Sequence, residues 1–280
     1  MSNKKIVSHI NIAVIMSVYR SDSLEYLKDA VNSILTQRFN KLTLFIYRDG
    51  VVSAETDEYL DFLNSKHENV ELLISDQNAG LANALNKLID IVVLNGDFSY
   101  IARMDSDDIS RADRFDKQVD FFERNPSIDV CGTSCREFGA SFALSQKHLP
   151  KSPEELLDYS ITHCPFIHPS VMFRTSVFSS GIRYPTDTSL TEDMALWFIL
   201  LNRGFRFANL NDVLLDYRLN ENTLDRRRGI SKAISEFSIR FKNMLALKKV
   251  SVKNILMISA RLIFHVLPGS IMKIAYKKAR

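Results

Sequence analysis

Asp105, Ser106, Asp107 and Asp108 place three carboxylates within four residues, directly after the strand-like run Tyr100 to Met104 and before a stretch carrying Arg111, Arg114 and Phe115. Carboxylates that close repel one another, which makes ionising all three costly. A divalent cation relieves that repulsion, and hard oxygen ligands favour Mg²⁺ or Mn²⁺ over zinc. An acidic helix N-terminus, favoured by the helix macrodipole, accounts for the same residues equally well on spacing alone. An EF-hand is not expected, because the required glycine and distal glutamate do not stand at the expected offsets.

The elements around this cluster alternate. Ile12 to Val18 has the apolar continuity of a strand, and Leu24, Leu27, Val31, Ile34 and Leu35 then recur on one helical face, with Asp22 and Glu25 as a helix start. Strands are expected at Leu42 to Tyr47, Val70 to Ile74 and Tyr100 to Met104, with helices at Thr56 to Leu63 and Leu81 to Leu94 between them. A helix from near Arg111 should end before Pro126. Beyond it the pattern predicts strands at Ile128 to Thr133, Ser170 to Arg174, Arg206 to Ala208 and Val213 to Tyr217, and helices at Glu154 to Ile161 and Glu192 to Leu201, the latter stopped by Gly204. This order predicts an α/β fold with a mostly parallel twisted sheet flanked by helices. Such sheets bind ligands at the carboxyl ends of their strands. The polar residues there are Tyr19 and Arg20, Asp49 and Gly50, Asp76 to Gly80, and Asp105 to Asp108.

At 280 residues the chain is long enough to bury a large core without staples. Cys131, Cys135 and Cys164 form an odd set without a CxxC pair, so neither a disulfide framework nor a thiolate zinc site is expected, and a reducing, cytoplasmic setting fits best. The apolar stretch after Lys4 and Lys5 is broken by Ser8, His9 and Asn11 and reads as a strand rather than a signal peptide. No stretch reaches the roughly 18 uncharged apolar residues of a membrane span. The net charge of +3 hides an asymmetry: Arg226 to Arg280 holds 14 Lys/Arg and one acid, Glu236, leaving 22 basic against 32 acidic residues before it. A basic tail implies an anionic partner.

Taken in order, Ile15-Met16-Ser17-Val18-Tyr19 with the helix to Gln37, Asp49-Gly50, Asn78-Ala79-Gly80-Leu81-Ala82 with Ala84-Leu85-Asn86, Ile101 to Asp108, His168-Pro169-Ser170, and Glu192-Asp193 with Trp197 form a specific set. From about Ile12 to Leu219 the chain resembles a family 2 glycosyltransferase of GT-A fold, of the kind found in bacterial O-antigen and surface-polysaccharide assembly. The resemblance implies a domain over residues 1–222, with a nucleotide-sugar half at about 10–110 and an acceptor half at about 111–222; the charge and apolar pattern beyond it predicts a basic amphipathic helical tail over 223–280.

The resemblance further implies that Val18 and Tyr19 line the nucleotide pocket, that Asp49 binds the uracil or ribose, and that the Asn78 to Asn83 loop, with Gly80, closes over the base. Arg103 belongs to the same donor site, and the usual donor would be a UDP-sugar. Here Arg48-Asp49 stands where the family often has two adjacent acids. Composition alone gives Val18 and Tyr19 as strand-end packing and Asp49-Gly50 as a turn. The resemblance makes Asp107 the direct metal ligand and sets Asp105 nearer the ribose and a metal-bound water. Breaking a sugar to phosphate bond puts charge on the departing diphosphate, which Mn²⁺ or Mg²⁺ would stabilise in place of a general acid. Inversion in one displacement also needs a base for the acceptor hydroxyl. Asp193 is the candidate, with Trp197 four residues later as an aromatic platform on the same helical face; a helix-start acid above a core tryptophan is the competing reading. His168 is placed to contact acceptor or diphosphate, or to serve as a structural histidine, and Arg218 resembles a position near the diphosphate.

In the tail, basic residues alternate with apolar clusters around Ile255 to Ile258 and Leu262 to Leu267, with Arg261 and His265 interrupting them. This pattern predicts amphipathic helices on an anionic membrane surface at the inner face of the cell membrane, with packing on the catalytic body as the alternative. No nucleic-acid-reading motif is present. A polyprenyl diphosphate-linked saccharide is the acceptor this arrangement implies. Two rivals are a sugar nucleotidyltransferase, opposed by Ser17 to Arg20 standing where a glycine-rich loop belongs, and a non-catalytic sugar-binding or scaffold subunit, opposed by intact Asp105, Asp107 and Asp193.

Overall fold

The computed structural model describes residues 10–188, 191–223, 229–264 and 272. The approach through Lys4 to His9, the Arg226 to Arg228 cluster and the basic end beyond 264, except Met272, lie outside the described residues.

The first half is a series of β-α units. Strand β1 (Ile12–Tyr19) leads to helix α1 (Leu24–Leu35), β2 (Leu42–Asp49) to α2 (Ala54–Lys66), and β3 (Val70–Ser75) to α3 (Leu81–Asn95), before β4 (Tyr100–Arg103). Strand β1 is apolar on both faces because both are covered. Ile12, Val14, Met16 and Val18 pack with Leu27, Val31 and Ile34 of α1, whereas Ala13 and Ile15 pack with Leu85, Leu88, Ile89 and Val92 of α3. The 2-residue period of the strand and the 3.6-residue period of the helices therefore build two core layers from one sheet.

The second half comprises β5 (Ile109–Ser110), α4 (Arg114–Arg124), β6 (Val130–Phe138), α5 (Pro153–Thr162), a 3-10 turn at His168–Ser170, β7 (Met172–Arg174), α6 (Ser176–Ser179), α7 (Glu192–Asn202) and β8 (Phe207–Arg218). The eight strands form one sheet in the order β3-β2-β1-β4-β7-β6-β8-β5. It is parallel from β3 to β4 and between β6 and β8, and antiparallel where β7 joins β4 and β6 and where β5 joins β8.

Three expectations are corrected. The helix expected near Arg111 starts at Arg114, because Ile109 and Ser110 pair with Asp216 and Leu215 instead. The two strands expected at 206–208 and 213–217 are one strand of 12 residues; exposed Asn211 and Asp212 look like a turn, but pairing with β6 resumes beyond them across a register shift at Thr133 to Cys135. Strand β6 likewise continues to Phe138, through Arg136 and Glu137, because β8 pairs with it that far.

The described tail forms helices α8 (Ile230–Ala246) and α9 (Val252–Phe264). Met244 and Ile258 join Ile161 of α5 and Met194 and Phe198 of α7 in a separate apolar cluster. Arg240, 2% exposed, sets the tail in place: its Nη1 donates to the carbonyls of Ser160, Ile161 and His163, and its Nε to Glu236. It thus satisfies carbonyls that the C-terminus of α5 leaves without helical partners. Glu236 also accepts from Arg261 of α9 at 2.5 Å.

Replacing Arg240 by Ala should lower the unfolding free energy by about 3 kcal/mol, since it strands buried carbonyls and a carboxylate. Urea unfolding compares it with exposed Lys242→Ala, which should stay within about 0.5 kcal/mol of wild type.

Candidate active site

The carboxyl ends of β1, β2, β3 and β4 open onto one cleft of about 860 Å³. Tyr19, Asp49, Asn78, Gly80, Arg103, Asp105 and Asp107 line it, together with Ser17, Asp22, Asp76, Ser106 and Glu192. Tyr19 stands at the rim, 37% exposed, while Val18 faces the core at 0% and lies beneath the cleft.

The wall formed by the loop before α3 is stapled to β2. Asp49, 2% exposed, accepts the backbone N–H groups of Ala79 at 2.8 Å and Gly80 at 2.9 Å on its two carboxylate oxygens, and its carbonyl accepts from Asn78 Nδ2 at 3.1 Å. Gly50 allows this closure: its φ is +89°, and a Cβ would meet Asn78 N at 2.9 Å. Asn83 Nδ2 turns back to the carbonyl of Ala79. The Asp49 carboxylate is therefore occupied in shaping the loop. Arg48, at the position where an acid was expected, pairs with Asp57 of α2 at 2.8 Å and with Asp76 at 3.2 Å, so its charge is answered inside the fold.

On the opposite side, single oxygens of Asp105, Asp107 and Asp108 all lie within 4.8 Å of one another. Asp105 forms an ion pair with Arg103, which is 1% exposed and whose Nε has no hydrogen-bond partner among the described residues. Asp108 is fully buried; its Oδ1 accepts the Arg218 N–H at 2.7 Å, and its Oδ2 has no partner among the described residues. Burial, then the charges of Asp105 and Asp107, push the Asp108 carboxyl well above the usual range. Burial, then Asp105 and Asp22, raise Asp107 to about 7. Asp22 accepts Ser106 Oγ at 2.8 Å and Tyr19 N–H at 3.1 Å, tying the end of β1 to the acidic loop, and burial raises it to about 6. A converging set of oxygen donors, one of them orphaned and two, on Asp107 and Asp108, held toward the protonated form, suits a divalent cation such as Mg²⁺ or Mn²⁺.

Arg218 does not extend into the cleft. Its Nε donates to the Asp107 carbonyl at 2.8 Å, and its guanidinium lies 3.8 Å from the Tyr26 ring centroid and 4.5 Å from that of Phe138, so it braces the acidic loop from behind. His168 shares a hydrogen bond with Tyr184 Oη at 2.9 Å, and burial, then the Arg103 charge, holds its pKa well below the ordinary value, leaving a neutral imidazole. Trp197 is 1% exposed, stacked with Phe173 and edge-on to Phe166 and His168. The expected aromatic platform is thus corrected. Helix α7 is buried continuously from Met194 to Phe198, so Trp197 lies in the core, whereas Asp193 at its start is only partly buried. Asp193, at the start of α7, accepts Met194 N–H at 2.7 Å on Oδ1 and the Cys164 thiol at 3.7 Å on Oδ2. Its neighbour Glu192 lines the cleft, and burial, then its own backbone hydrogen bond and Asp193, govern a pKa that is raised on balance.

Asp22 and Glu192 are cleft residues that the sequence pattern does not reveal. Asp22 reads as a helix start in sequence, yet Ser23 is the residue at the N-cap; the signal for Asp22 was its place in the loop that follows the first strand. Nothing in the sequence separates Glu192 from Asp193, because adjacent helical residues differ only in the direction the helix gives them.

A family model described as glycosyl transferase family 2 matches residues 13–186. The chain is 31% identical over 270 residues to the UDP-Gal:alpha-D-GlcNAc-diphosphoundecaprenol beta-1,3-galactosyltransferase of Escherichia coli, covering 95% of both chains. It is 29% identical over 272 residues to the amylovoran biosynthesis glycosyltransferase AmsE of Erwinia amylovora, covering 96% of this chain and 98% of that one. Among solved structures it is similar to the mannosyltransferase PcManGT of Pyrobaculum calidifontis in complex with GDP-Man and Mn²⁺, with a TM-score of 0.63 at 14% identity over 98% of this chain and 83% of that one. It is also similar to S. aureus TarS 1–349 in complex with UDP-GlcNAc, at TM-score 0.61 and 14% identity over 96% and 88% of the two chains. These two likenesses are likenesses of fold, and the fold is GT-A.

The raised carboxyls give a pH test. The folded state holds protons on Asp22 and Asp107 up to about pH 6 and 7, whereas the unfolded state releases them near 4, so metal-free stability should fall as pH rises from about 4 to 7. A cation that binds the ionised form reverses this. The Mn²⁺-induced rise in Tm should therefore be larger at pH 8 than at pH 5.5 in differential scanning fluorimetry, and should be lost in Asp107→Asn.

Proposed function

The chain belongs to glycosyl transferase family 2, and on that premise we propose that it moves a sugar from a UDP-sugar, with inversion, to a lipid diphosphate-linked saccharide during surface-polysaccharide assembly at the inner face of the cell membrane. The observation that carries this reading is the convergence of Asp105, Asp107 and Asp108 on a cleft whose other wall is the Asp49-stapled loop at the start of α3. The Escherichia coli relative, whose name gives UDP-galactose as donor and a diphosphoundecaprenol-linked sugar as acceptor, supports the choice of both substrate classes.

In this reading Asp107 and Asp105 hold Mn²⁺ or Mg²⁺, with buried Asp108 behind them. The bound ion supplies the positive charge that stabilises the departing diphosphate. Tyr19, the Asn78 to Gly80 turn and Asn83 shape the nucleotide pocket, and the N-terminus of α3 presents backbone N–H groups to the same cleft. Arg103, fixed beneath Asp105, lines the same cleft and brings a positive charge to the donor side of it. Asp193 takes the proton of the acceptor hydroxyl as that oxygen attacks the anomeric carbon from the face opposite the diphosphate, and the leaving group departs as the nucleoside diphosphate. Neutral His168, hydrogen-bonded to Tyr184, is buried beside Trp197 of α7 and contributes no charge.

Transfer from radiolabelled UDP-, GDP- and dTDP-sugars to a lipid diphosphate-sugar acceptor, with Mn²⁺ or EDTA, tests the reading. Asp107→Ala should lower metal-dependent transfer on the order of 10²- to 10³-fold and weaken donor binding. Asp193→Ala should lower turnover comparably while leaving the donor Kd near wild type, and Glu192→Gln, run beside it, assigns the base between the two neighbours. Folded wild-type protein that binds glycan but neither transfers nor hydrolyses any donor would replace the enzyme reading with that of a binding subunit.

A further inference from the structure

Helix α8 has two different faces. The inner one carries Arg240 and Met244 into α5 and α7. The outer one exposes Ile230 at 67%, Ile234 at 56%, Phe241 at 38% and Leu245 at 51%. At about 100° per residue these four fall within one arc of roughly 60°, so they form a continuous apolar stripe along the helix. The turn into α9 extends it with Val250 and Val252, 54% and 76% exposed. A stripe of this kind, uncovered among the described residues, is costly to leave in water and marks a contact surface.

The charge of the same segment selects the partner. From Gly229 to Phe264 the chain has seven Lys/Arg and a single acid, Glu236. Glu236 is buried, held between Arg240 and Arg261, so the outer surface of this segment carries no carboxylate, while Lys242, Lys248 and Lys253 are exposed on it. Apolar side chains flanked by lysines match the boundary between anionic headgroups and acyl chains, where a helix lies flat with its apolar face sunk about 5–10 Å. No helix among the described residues is long and apolar enough to cross a membrane.

We propose that the outer face of α8, with the α8–α9 turn, docks on an anionic lipid bilayer. The inner face of the same helix grips α5 and α7, so docking fixes the orientation of the helix that begins with Glu192 and Asp193 relative to the bilayer. The purpose of the surface rests on the proposed lipid-linked acceptor, but its binding chemistry does not.

Full-length protein is sedimented with phosphatidylcholine vesicles containing or lacking phosphatidylglycerol. It should pellet with the phosphatidylglycerol vesicles, less so as salt is raised, and weakly with phosphatidylcholine alone. The Ile234→Ser/Leu245→Ser variant should partition about tenfold less while transferring to a water-soluble, short-chain acceptor at the wild-type rate. Wild-type protein that stays in the supernatant, or a double variant that pellets equally, overturns the proposal. So does a wild-type dimer that the variant dissociates without any vesicle binding, which makes the stripe a subunit interface. Loss of transfer to the soluble acceptor in wild type as well counts against the transferase reading and leaves the docking result standing.

Discussion

Crowding of like charge is the constraint on which this protein is organised. Asp22, Asp105, Asp107 and Asp108 come from two strand-end loops into one corner of the cleft, and Asp22, Asp107 and Asp108 are all pushed toward their protonated forms by burial first and then by neighbouring carboxylates, Asp105 among them in each case. The fold tolerates this by surrounding the corner with fixed partners. Arg103 pairs with Asp105 from below, the Arg218 backbone and guanidinium hold Asp108 and the Asp107 carbonyl from behind, and Ser106 and Tyr19 N–H hold Asp22. Arg218 is itself fixed between Tyr26 of α1 and Phe138 of β6. A charge-dense pocket of this sort is unfavourable for stability alone, and perturbed carboxyls gathered in a cleft mark a functional site.

The opposite wall uses a different device. Asp49 spends both carboxylate oxygens on backbone N–H groups, so the turn at Asn78 to Gly80 is shaped by the chain's own hydrogen bonds. Preorganisation of this kind removes ordering entropy from the binding step. The departure at Arg48 fits the same logic: its guanidinium joins α2 to Asp76 at the rim and stabilises the wall rather than contacting the pocket directly.

The tail is both part of the body and a surface of its own. Arg240 completes the C-terminus of α5 beside His163, and the next residue, Cys164, meets Asp193. Met194 and Phe198 of α7 rest against Met244 and Ile258. The packing alternative and the amphipathic one are therefore not exclusive, because the two sides of α8 differ in what they bury.

Local pattern alone carries the β-α order, the two core layers and the acidic loop after β4, because strand and helix periods and the spacing of Asp105 to Asp108 are local properties that survive in any fold containing them. It also placed Tyr19, Asp49, Asn78 and Gly80 at strand ends, and these do share one cleft. Only the tertiary structure decided what required a partner distant in the chain. It joined residues 207–218 into one strand through pairing with β6, turned Trp197 into the core against Phe173, committed Asp49 to the loop and Arg218 to its own protein, and brought Asp22 and Glu192 to the cleft. The reason is the same in each case: a residue's type and spacing fix what it can do, whereas the direction of its side chain is set by contacts with residues many positions away.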